Sequence, residues 1–360
     1  MLSIDVNNYS ENISISLQGV WKIFSDNPAL VLDAIRKEGI SKKQAFEKYD
    51  AVIGVADVSL DIHDGEIFCI MGLSGSGKST LVRHLNRLLE PTSGKIFING
   101  IDVLSLSPKS LQEFRNKNIG MVFQNFALLP HRSILDNIAM PLDIRGMNKN
   151  KRLDIAEKTL KLVDLKGWGN KFAHELSGGM QQRVGLARAL CADPKFLLMD
   201  EPFSALDPLI RRQLQDEFMD LSAKMEKTTV FITHDLDEAV RIGNRIAIMR
   251  DGEIVQVGTP EEIVFNPIDD YVAEFVAGIT RLKIVFANSV MLPIESYIVE
   301  NGPVPAAAKR MDEKASMSDL IQESVNQDSP IVIIDKDQTE IGVITRKELL
   351  STVLEHTEMS

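Results

Sequence analysis

One glycine-rich stretch limits the possible folds of this chain more than any other feature. It consists of Gly72, Leu73, Ser74, Gly75, Ser76, Gly77, Lys78, Ser79 and Thr80. An apolar run over 67–71 precedes it and a helical pattern over 81–89 follows, so a strand, a loop and a helix start are predicted in that order. The glycines let backbone N–H groups turn inward around phosphate oxygens, and the helix N-terminus adds partial positive charge. The stretch therefore predicts a binding site for a nucleoside triphosphate.

The residues around this loop predict how phosphates and a metal ion are held. Lys78 is expected to reach the β- and γ-phosphates, and Ser79 to ligate Mg²⁺. Asp200 follows the apolar run 196–199, which places its carboxylate at the carboxyl end of a buried parallel strand, where it can hold the same ion. Glu201 adds a second carboxylate, which hydrolysis needs in order to orient water for attack on the γ-phosphate.

Composition and charge narrow the class of protein. The chain has 360 residues, enough for about two domains, and its 44% hydrophobic and 25% charged content is that of a soluble globular protein. A formal net charge of −11 disfavours a dedicated nucleic-acid binder, so no nucleic-acid partner is expected. Without a long apolar run or a signal peptide, the chain is expected to stay in the cytoplasm. Cys69 and Cys191 lie in apolar segments and are predicted to be small core residues.

Hydrophobic periodicity predicts an α/β fold, a parallel sheet with helices on both faces. Strands are predicted over 13–24, 52–62, 67–71, 119–123, 196–199, 228–232 and 245–249, and a hairpin over 95–103 that turns at Asn99 and Gly100. Helical patterns cover an insert over 27–49 and the segments 134–140, 152–163, 166–175, 181–192, 209–225 and 236–242. The mostly helical stretch from about 125 to 180 indicates a helical subdomain inserted into the α/β core.

Four further motifs carry a resemblance to a known family. The segment 176–183, with Ser177, Gly178 and Gly179, resembles the signature motif of ABC-transporter ATPases. Gln124 matches the Q-loop of that family, the segment 204–207 its D-loop, and His234 its switch histidine. The motifs stand in the family's order over about residues 13–260, which implies an ABC ATPase core that contains the phosphate-binding loop.

The resemblance implies that two copies of the chain bind ATP and Mg²⁺ head to tail. Lys78 of one copy and Ser177, Gly178 and Gly179 of the other then enclose the same ATP. At a helix start, the hydroxyl and backbone N–H groups of this second segment complete an anion cradle that one copy lacks.

The same resemblance implies roles for the remaining motif residues. His234 contacts the γ-phosphate, and Asp207 belongs to the nucleotide-binding set. Gln124 joins Ser79 and Asp200 around the metal ion and links it, with the attacking water, to the helical subdomain. Glu201, His234 and Gln124 thus form the predicted catalytic set, and hydrolysis is tied to closure of the dimer.

The family also stacks adenine on an aromatic residue upstream of the phosphate loop. Phe24 stands at the end of the first predicted strand, whereas Tyr49 has the usual distance from Gly72. We favour Phe24, and ordinary core packing is the alternative for either ring.

A finer resemblance is to importers of glycine betaine, proline betaine and related osmoprotectants. It rests on the insert over 27–49, on the sequence from Gly65 into the phosphate loop, and on Met180 in place of the usual glutamine. It implies an ATPase subunit that lies peripherally on the cytoplasmic face of the inner (plasma) membrane. Its implied partners are integral-membrane permease subunits and, indirectly, an extracytoplasmic solute-binding protein. Uptake of choline, carnitine or an amino acid, and a non-transport ABC ATPase, are the alternatives.

The motifs end near Thr280, so we predict an ATPase domain over 1–280 and a C-terminal regulatory region over 281–360. A helix over 317–325 followed by strand, turn, strand and helix over 330–354 resembles a single CBS module, about residues 304–355. The preceding segment 286–302 is interpreted as the remnant of a first such module. A structural extension that stabilises the dimer is the alternative.

Overall fold

The structure is a computed structural model that divides into two compact units, Met1–Thr259 and Pro260–Ser360. It describes residues 10–124, 126–204, 206–225, 227–278, 285–305, 307–313, 315–326, 329–335 and 338–357. The predicted domain boundary at 280/281 and Ala205 of the predicted D-loop lie outside these described residues. Across these ranges, no helix has the length and apolar character that crossing a membrane requires.

The described residues of the first unit form two sheets. Its strands are β1 Ser10–Phe24, β2 Val52–Asp64, β3 Ile67–Met71, β4 Ser93–Ile98, β5 Ile101–Asp102, β6 Ile119–Val122, β7 Phe196–Asp200, β8 Thr228–Thr233, β9 Arg245–Arg250 and β10 Glu253–Gly258. The larger sheet has the order β10-β9-β3-β8-β7-β6, and all its neighbours are parallel except β10 and β9. Its central strands β3, β7 and β8 are buried throughout, which explains their continuous apolar sequences. The predicted parallel sheet is confirmed.

The smaller sheet is antiparallel, with the order β2-β1-β4-β5. One hydrophobic cluster joins side chains of both sheets, among them Ile15 of β1 and Phe68 of β3. The hairpin between β4 and β5 turns at Asn99 and Gly100, as predicted, and their φ values of 49° and 72° are both positive, as in a tight two-residue turn.

Nine helices accompany these sheets in the described part of the first unit. They are α1 Pro28–Glu38, α2 Lys42–Tyr49, α3 Lys78–Leu85, α4 Pro108–Asn118, α5 Ile134–Ile144, α6 Lys149–Leu162, α7 Gly178–Leu190, α8 Pro208–Met225 and α9 Leu236–Ile242. The predicted insert over 27–49 is the pair α1 and α2, which packs on Trp21 and Ile23 of β1. A capping box of Ser41 and Gln44 begins α2.

Helices α5, α6 and α7 share one core and form the predicted helical subdomain. The helix predicted over 166–175 is wrong, because this segment consists of turns and a short 3₁₀ turn at Ala173–Glu175. Gly167 has φ 90°, and the carbonyls of Gly169 and Lys171 accept hydrogen bonds from the first N–H groups of α5 at 2.9 and 2.8 Å. Carbonyl groups of this segment therefore accept hydrogen bonds from the first N–H groups of α5, and they do not form the i to i+4 hydrogen bonds of a helix of their own.

The second unit begins with α10 Pro260–Phe265, α11 Asp270–Val276 and α12 Ala287–Val290. Its remaining elements are β11 Leu292–Pro293, α13 Ile294–Asn301, β12 Arg310–Asp312, α14 Met317–Asn326, β13 Ile331–Ile334, β14 Glu340–Ile344 and α15 Arg346–Thr357. The sheet has the order β11-β14-β13-β12. The segment 286–302, interpreted above as a remnant, packs with the residues that follow it, because β11 pairs with β14 and Ala287 lies in the same core as Ile333. This pairing places the segment inside the module that was predicted to follow it.

Candidate nucleotide and magnesium site

The phosphate loop runs from the end of β3 to the start of α3 at the carboxyl edge of the parallel sheet. Gly72 has φ 152°, and a Cβ there would lie 2.2 Å from the Met249 carbonyl oxygen. Gly77 has φ 103°, and a Cβ there would lie 2.3 Å from the Gly54 carbonyl oxygen. Both positions therefore need glycine for conformation and for space. Residues 73–75 are exposed at the mouth of the loop, whereas Ser76 is buried.

Lys78 is folded back over this loop. Its side chain is buried, and Nζ donates to the carbonyl oxygens of Gly72 and Leu73 at 2.8 and 2.9 Å. Burial lowers the pKa of the Lys78 ammonium, while the carboxylates of Glu201 and Asp200 favour its charged form. The cation thus stands on the inner side of the loop, where a nucleotide phosphate can replace carbonyl oxygens as its acceptor.

A hydroxyl and a carboxylate meet at the start of α3. Ser79 Oγ donates to Asp200 Oδ1 at 2.8 Å, and Asp200 is the last residue of the buried strand β7. These are hard oxygen ligands of the kind that Mg²⁺ prefers. Arg83, one turn after Ser79 on α3, lies 3.8 Å from Asp200 Oδ2. Arg83 was not identified from the sequence. Its position four residues after Ser79 puts both side chains on the same face of α3, and this spacing predicts that they lie close together.

Glu201 brings the predicted catalytic set together. Gln124 Nε2 donates to its Oε2 at 3.2 Å, and His234 Nδ1 lies 3.1 Å from the same oxygen. Glu201 has φ 46°, and its backbone N–H donates to the Ile232 carbonyl of the neighbouring strand at 3.1 Å. A left-handed backbone at a non-glycine residue is costly and is typical of functional sites. It turns this carboxylate away from the strand axis toward two polar side chains.

The aromatic candidates have different surroundings. Phe24 is 42% exposed, and a Cβ at Gly54 would lie 2.8 Å from Phe24 Cε2 and 3.4 Å from Thr80 Cγ2. The ring of Phe24 therefore stands beside the start of α3. Tyr49 is partly buried against the core of the α1–α2 insert. Of the two candidates, Phe24 lies near Thr80, and its stacking on adenine stays a prediction.

The signature segment, residues 177–179, lies on the helical subdomain. Ser177 caps α7, and its Oγ accepts from the Met180 N–H at 3.4 Å. Ser177 and Gly178 are exposed, and Gly179 is partly buried. The hydrogen bonds that Ser177 makes within the described residues are local to α7, so one chain does not bring this segment into the set around Lys78 and Glu201. Asp207 accepts from the Ile210 N–H at 3.1 Å and so caps α8.

The residues of the loop fit a triphosphate with Mg²⁺. Ser76 Oγ is buried and has no hydrogen-bond partner in the described part of the chain. This fits a hydroxyl that would donate to a bound phosphate. Gly72 and Gly77 leave no space for a Cβ, and Ser79 with Asp200 supplies oxygen ligands. When bound, Mg²⁺ neutralises charge on the β- and γ-phosphates. By the prediction, Lys78 would hold the phosphates, and Ser79, Asp200 and Gln124 would hold Mg²⁺.

Comparisons with known proteins agree with this geometry. The family profile of ABC transporters matches residues 55–204. The glycine betaine/proline betaine transport system ATP-binding protein of Escherichia coli (strain K12) is 50% identical over 291 residues, 81% of this chain and 72% of that protein. The trimethylamine N-oxide transport system ATP-binding protein of Ruegeria pomeroyi is 46% identical over 341 residues, 94% of this chain and 97% of that protein.

A solved structure similar to this chain is a dimeric ATP-binding cassette in a post-hydrolysis state bound to ADP and phosphate. It is 32% identical, has a TM-score of 0.58, and its match covers 68% of this chain and 98% of that chain. The chain therefore belongs to the ATP-binding proteins of ABC transporters of the glycine betaine type, enzymes that work in pairs and hydrolyse ATP with Mg²⁺ to power transport.

Proposed function

We propose that the chain powers import of a quaternary-ammonium compatible solute of the glycine betaine or proline betaine type through a membrane permease. It acts as a peripheral subunit on the cytoplasmic face of the inner (plasma) membrane, and an extracytoplasmic binding protein delivers the solute. The observation that carries the ATPase part is the meeting of Gln124 and His234 on the Glu201 carboxylate, beside the Ser79–Asp200 pair. The solute class is supported by the 50% identity to the Escherichia coli protein.

Each of these residues has a distinct role in the proposed hydrolysis of ATP. Glu201 orients the attacking water in line with the γ-phosphate, because its carboxylate is the acceptor on which two other polar side chains converge. His234 contacts the γ-phosphate, and Gln124 holds the water and the metal ion from the side of the helical subdomain. Lys78 and the N–H groups of the loop neutralise and hold the phosphates. Phe24 stacks on adenine at the edge of the loop.

Two copies complete each site. Ser177 and the N–H groups of Gly178 and Gly179 stand at the exposed start of α7, where an anion is stabilised by unpaired donors and by the helix dipole. In a head-to-tail pair, this start faces the phosphate loop of the partner copy. Closure around ATP and opening after hydrolysis then drive the permease.

Reconstitution tests the proposed solute. The chain, its permease and its binding protein are incorporated into lipid vesicles, and uptake of labelled glycine betaine is measured with ATP inside. We expect uptake that depends on ATP and that excess proline betaine inhibits. Uptake of an amino acid that neither betaine inhibits would contradict the proposed solute and leave the ATPase assignment intact.

A second solute has a specific observation in its favour. The Ruegeria pomeroyi trimethylamine N-oxide protein matches this chain along 97% of its own length, against 72% for the Escherichia coli betaine protein. The same vesicles distinguish the two solutes. If labelled trimethylamine N-oxide is taken up and glycine betaine inhibits it only in large excess, the N-oxide is the physiological solute.

For the C-terminal unit, we propose regulation by a single CBS-like module, about residues 304–355, that pairs with the module of the second copy. Strands β12, β13 and β14 and helices α14 and α15 lie within these residues, and β11 of the preceding segment adds the fourth strand of their sheet. Deleting residues 303–360 is expected to leave ATP hydrolysis in place and to raise transport at low salt in vesicles. An unchanged salt dependence would show that the unit has a structural role only.

A further inference from the structure

The signature helix α7 carries a buried arginine that the site described above does not use. Arg188 is 5% exposed and lies in the last turn of α7. Its guanidinium donates to two successive carbonyl oxygens, Nη1 to that of Ala127 at 2.5 Å and Nη2 to that of Phe126 at 2.7 Å. Among the described residues these two carbonyls are its hydrogen-bond acceptors. A planar fork of donors on neighbouring carbonyls is a contact that lysine cannot reproduce.

The two residues that Arg188 holds have a backbone conformation that needs outside support. Phe126 has φ 54° and Ala127 has φ 48°, both in the left-handed region. Non-glycine residues rarely adopt this region, and two in succession persist only where their surroundings hold them there. Ala127 is exposed, so packing of its own side chain contributes little to that conformation. The guanidinium of Arg188 is the contact that fixes both carbonyl groups at once.

The turn at 126–127 lies close to the catalytic set in sequence. Gln124 precedes it by two residues, and Gln124 Nε2 donates to Glu201 Oε2 at 3.2 Å. At its other end, the chain continues into the helical subdomain that contains α7. Arg188 therefore ties the turn at 126–127 to the helix that begins at the signature segment.

We propose that Arg188 is a positioning residue for ATP hydrolysis. It holds the 126–127 turn in its left-handed conformation and thereby places the Gln124 amide against Glu201, so the signature helix and the catalytic set move together. This inference rests on the proposed role of Gln124.

The first experiment replaces Arg188 with Met, which keeps the length of the side chain and removes every donor. The full chain is assayed for steady-state ATP hydrolysis with saturating Mg²⁺. We expect kcat to fall by about tenfold, because a small displacement of a positioning group costs catalysis. We expect KM for ATP to change by less than about twofold, since the phosphate loop is untouched. Arg188→Lys should give an intermediate kcat and serves as the test variant if Arg188→Met does not fold.

The second experiment removes the backbone strain at residue 127 and does not restore the Arg188 contact. Glycine adopts positive φ without cost, so Ala127→Gly should return the kcat of Arg188→Met to within about threefold of the parent. Asp50→Gly is the matched control, because Asp50 is also exposed, has φ 48° and ends the distant helix α2. It should leave the kcat of Arg188→Met unchanged.

Two further variants separate positioning from general stability. Arg115 donates to the carbonyls of Asn86 and Arg87 at 2.7 and 2.6 Å, and Arg87 has φ 52°. Arg115→Met should lower the melting temperature and keep kcat within about twofold of the parent, since this contact does not adjoin Gln124. Gln124→Ala should lower kcat at least as much as Arg188→Met.

The outcomes are distinguishable. A parental kcat in Gln124→Ala would refute the proposed role of Gln124 itself. If Gln124→Ala is slow while Arg188→Met and Arg188→Lys hydrolyse ATP at the parental rate, the positioning role of Arg188 is wrong and the proposed function stands. If Ala127→Gly restores the melting temperature of the Arg188 variant but leaves kcat low, Arg188 has a structural role only.

Discussion

The phosphate-loop cluster, formed by residues 72–80 with Gln124, Asp200, Glu201 and His234, differs from the signature segment 177–179 in what one chain can complete. In the cluster, the Ser79 hydroxyl, the Lys78 ammonium and the Glu201 carboxylate all have partners within the chain. In the signature segment, Ser177 bonds within its own helix and is exposed, as is Gly178. Each copy therefore carries one finished half-site, the phosphate-loop cluster, and, by the proposed function, a second half-site, the signature segment, that needs a second chain.

The cause of this difference lies in the architecture. The ends of β3, β7 and β8 meet at one edge of the parallel sheet, so Gly72, Asp200 and His234 converge although they are far apart in sequence. The signature segment begins a helix of a subdomain with its own core, whose start presents donors outward.

The largest expected effect concerns the finished half-site. Glu201→Gln should lower kcat by about 10²- to 10⁴-fold, because the amide keeps the shape of the carboxylate but no longer orients water as a base. ATP binding should persist, and ATP-dependent dimerisation should strengthen. Steady-state hydrolysis and gel filtration with ATP measure these effects, and Glu47→Gln, an exposed change on α2, is the control. A rate near that of the parent would remove Glu201 from the mechanism.

A mixed dimer tests the division into half-sites directly. One copy carries Lys78→Ala and the other Ser177→Arg, with different tags that allow the pair to be isolated. Both altered residues then fall in the same composite site, so we expect about half of the parent activity from the intact second site. Either homodimer should have almost none, because each of its sites is damaged. Single-turnover hydrolysis measures this, and full activity of a strictly monomeric preparation would contradict the comparison.

The third prediction tests whether Phe24 binds adenine beside the phosphate-loop cluster. Phe24→Ala should weaken ATP binding by about tenfold, because stacking of a base on an aromatic ring is worth about 1–3 kcal/mol. Phe24→Tyr keeps the ring and is the control. Tyr49→Ala should leave ATP affinity unchanged, since Tyr49 packs in the insert. Titration with a fluorescent ATP analogue measures both, and the reverse order of affinities would assign the contact to Tyr49.

The smallest expected effect on activity concerns Glu66, just before β3 and at the opposite end of that strand from the phosphate loop. Burial raises its pKa to about 7 from the ordinary 4.5, although the His63 N–H and Arg245 favour the charged form. Between pH 4.5 and about 7, Glu66 therefore keeps its proton in the folded protein and loses it in the unfolded protein. The contribution of this group to the free energy of unfolding is complete below pH 4.5 and declines toward pH 7.

Glu66→Gln should remove this decline in the free energy of unfolding, which amounts to about 3 kcal/mol. The rate of ATP hydrolysis should stay within about twofold of that of the parent. Urea unfolding at several pH values between 4.5 and 7 compares the two proteins across the window of the shift. A pH dependence of stability identical in both would show that Glu66 is ionised in the folded protein. A large loss of hydrolysis would show that the two ends of β3 are coupled.

Several failures of the sequence-based predictions have identifiable physical causes. Helix α4 was not predicted, because its buried side chains are only Leu111 and Phe114 and the rest of its sequence is polar. The segment 166–175 has a helical pattern, yet its carbonyls are needed by α5. The two residues of β11 are too few to show a strand pattern, and their pairing with β14 appears only in three dimensions.

The sequence by itself determined the chemistry of this protein. Gly72, Gly77, Lys78 and Ser79 sit within one short stretch whose spacing alone predicts a phosphate loop, and the apolar run before Asp200 predicts its place at a strand end. Such signals are local, because neighbouring residues share one strand, loop or helix.

Only the tertiary structure decided which distant groups meet. The convergence of Gln124 and His234 on one Glu201 oxygen, the position of Phe24 beside Thr80, and the fork of Arg188 on two left-handed carbonyls join segments far apart in the chain. No sequence periodicity encodes these contacts, because sheet order and the packing of the helical subdomain determine which segments become neighbours.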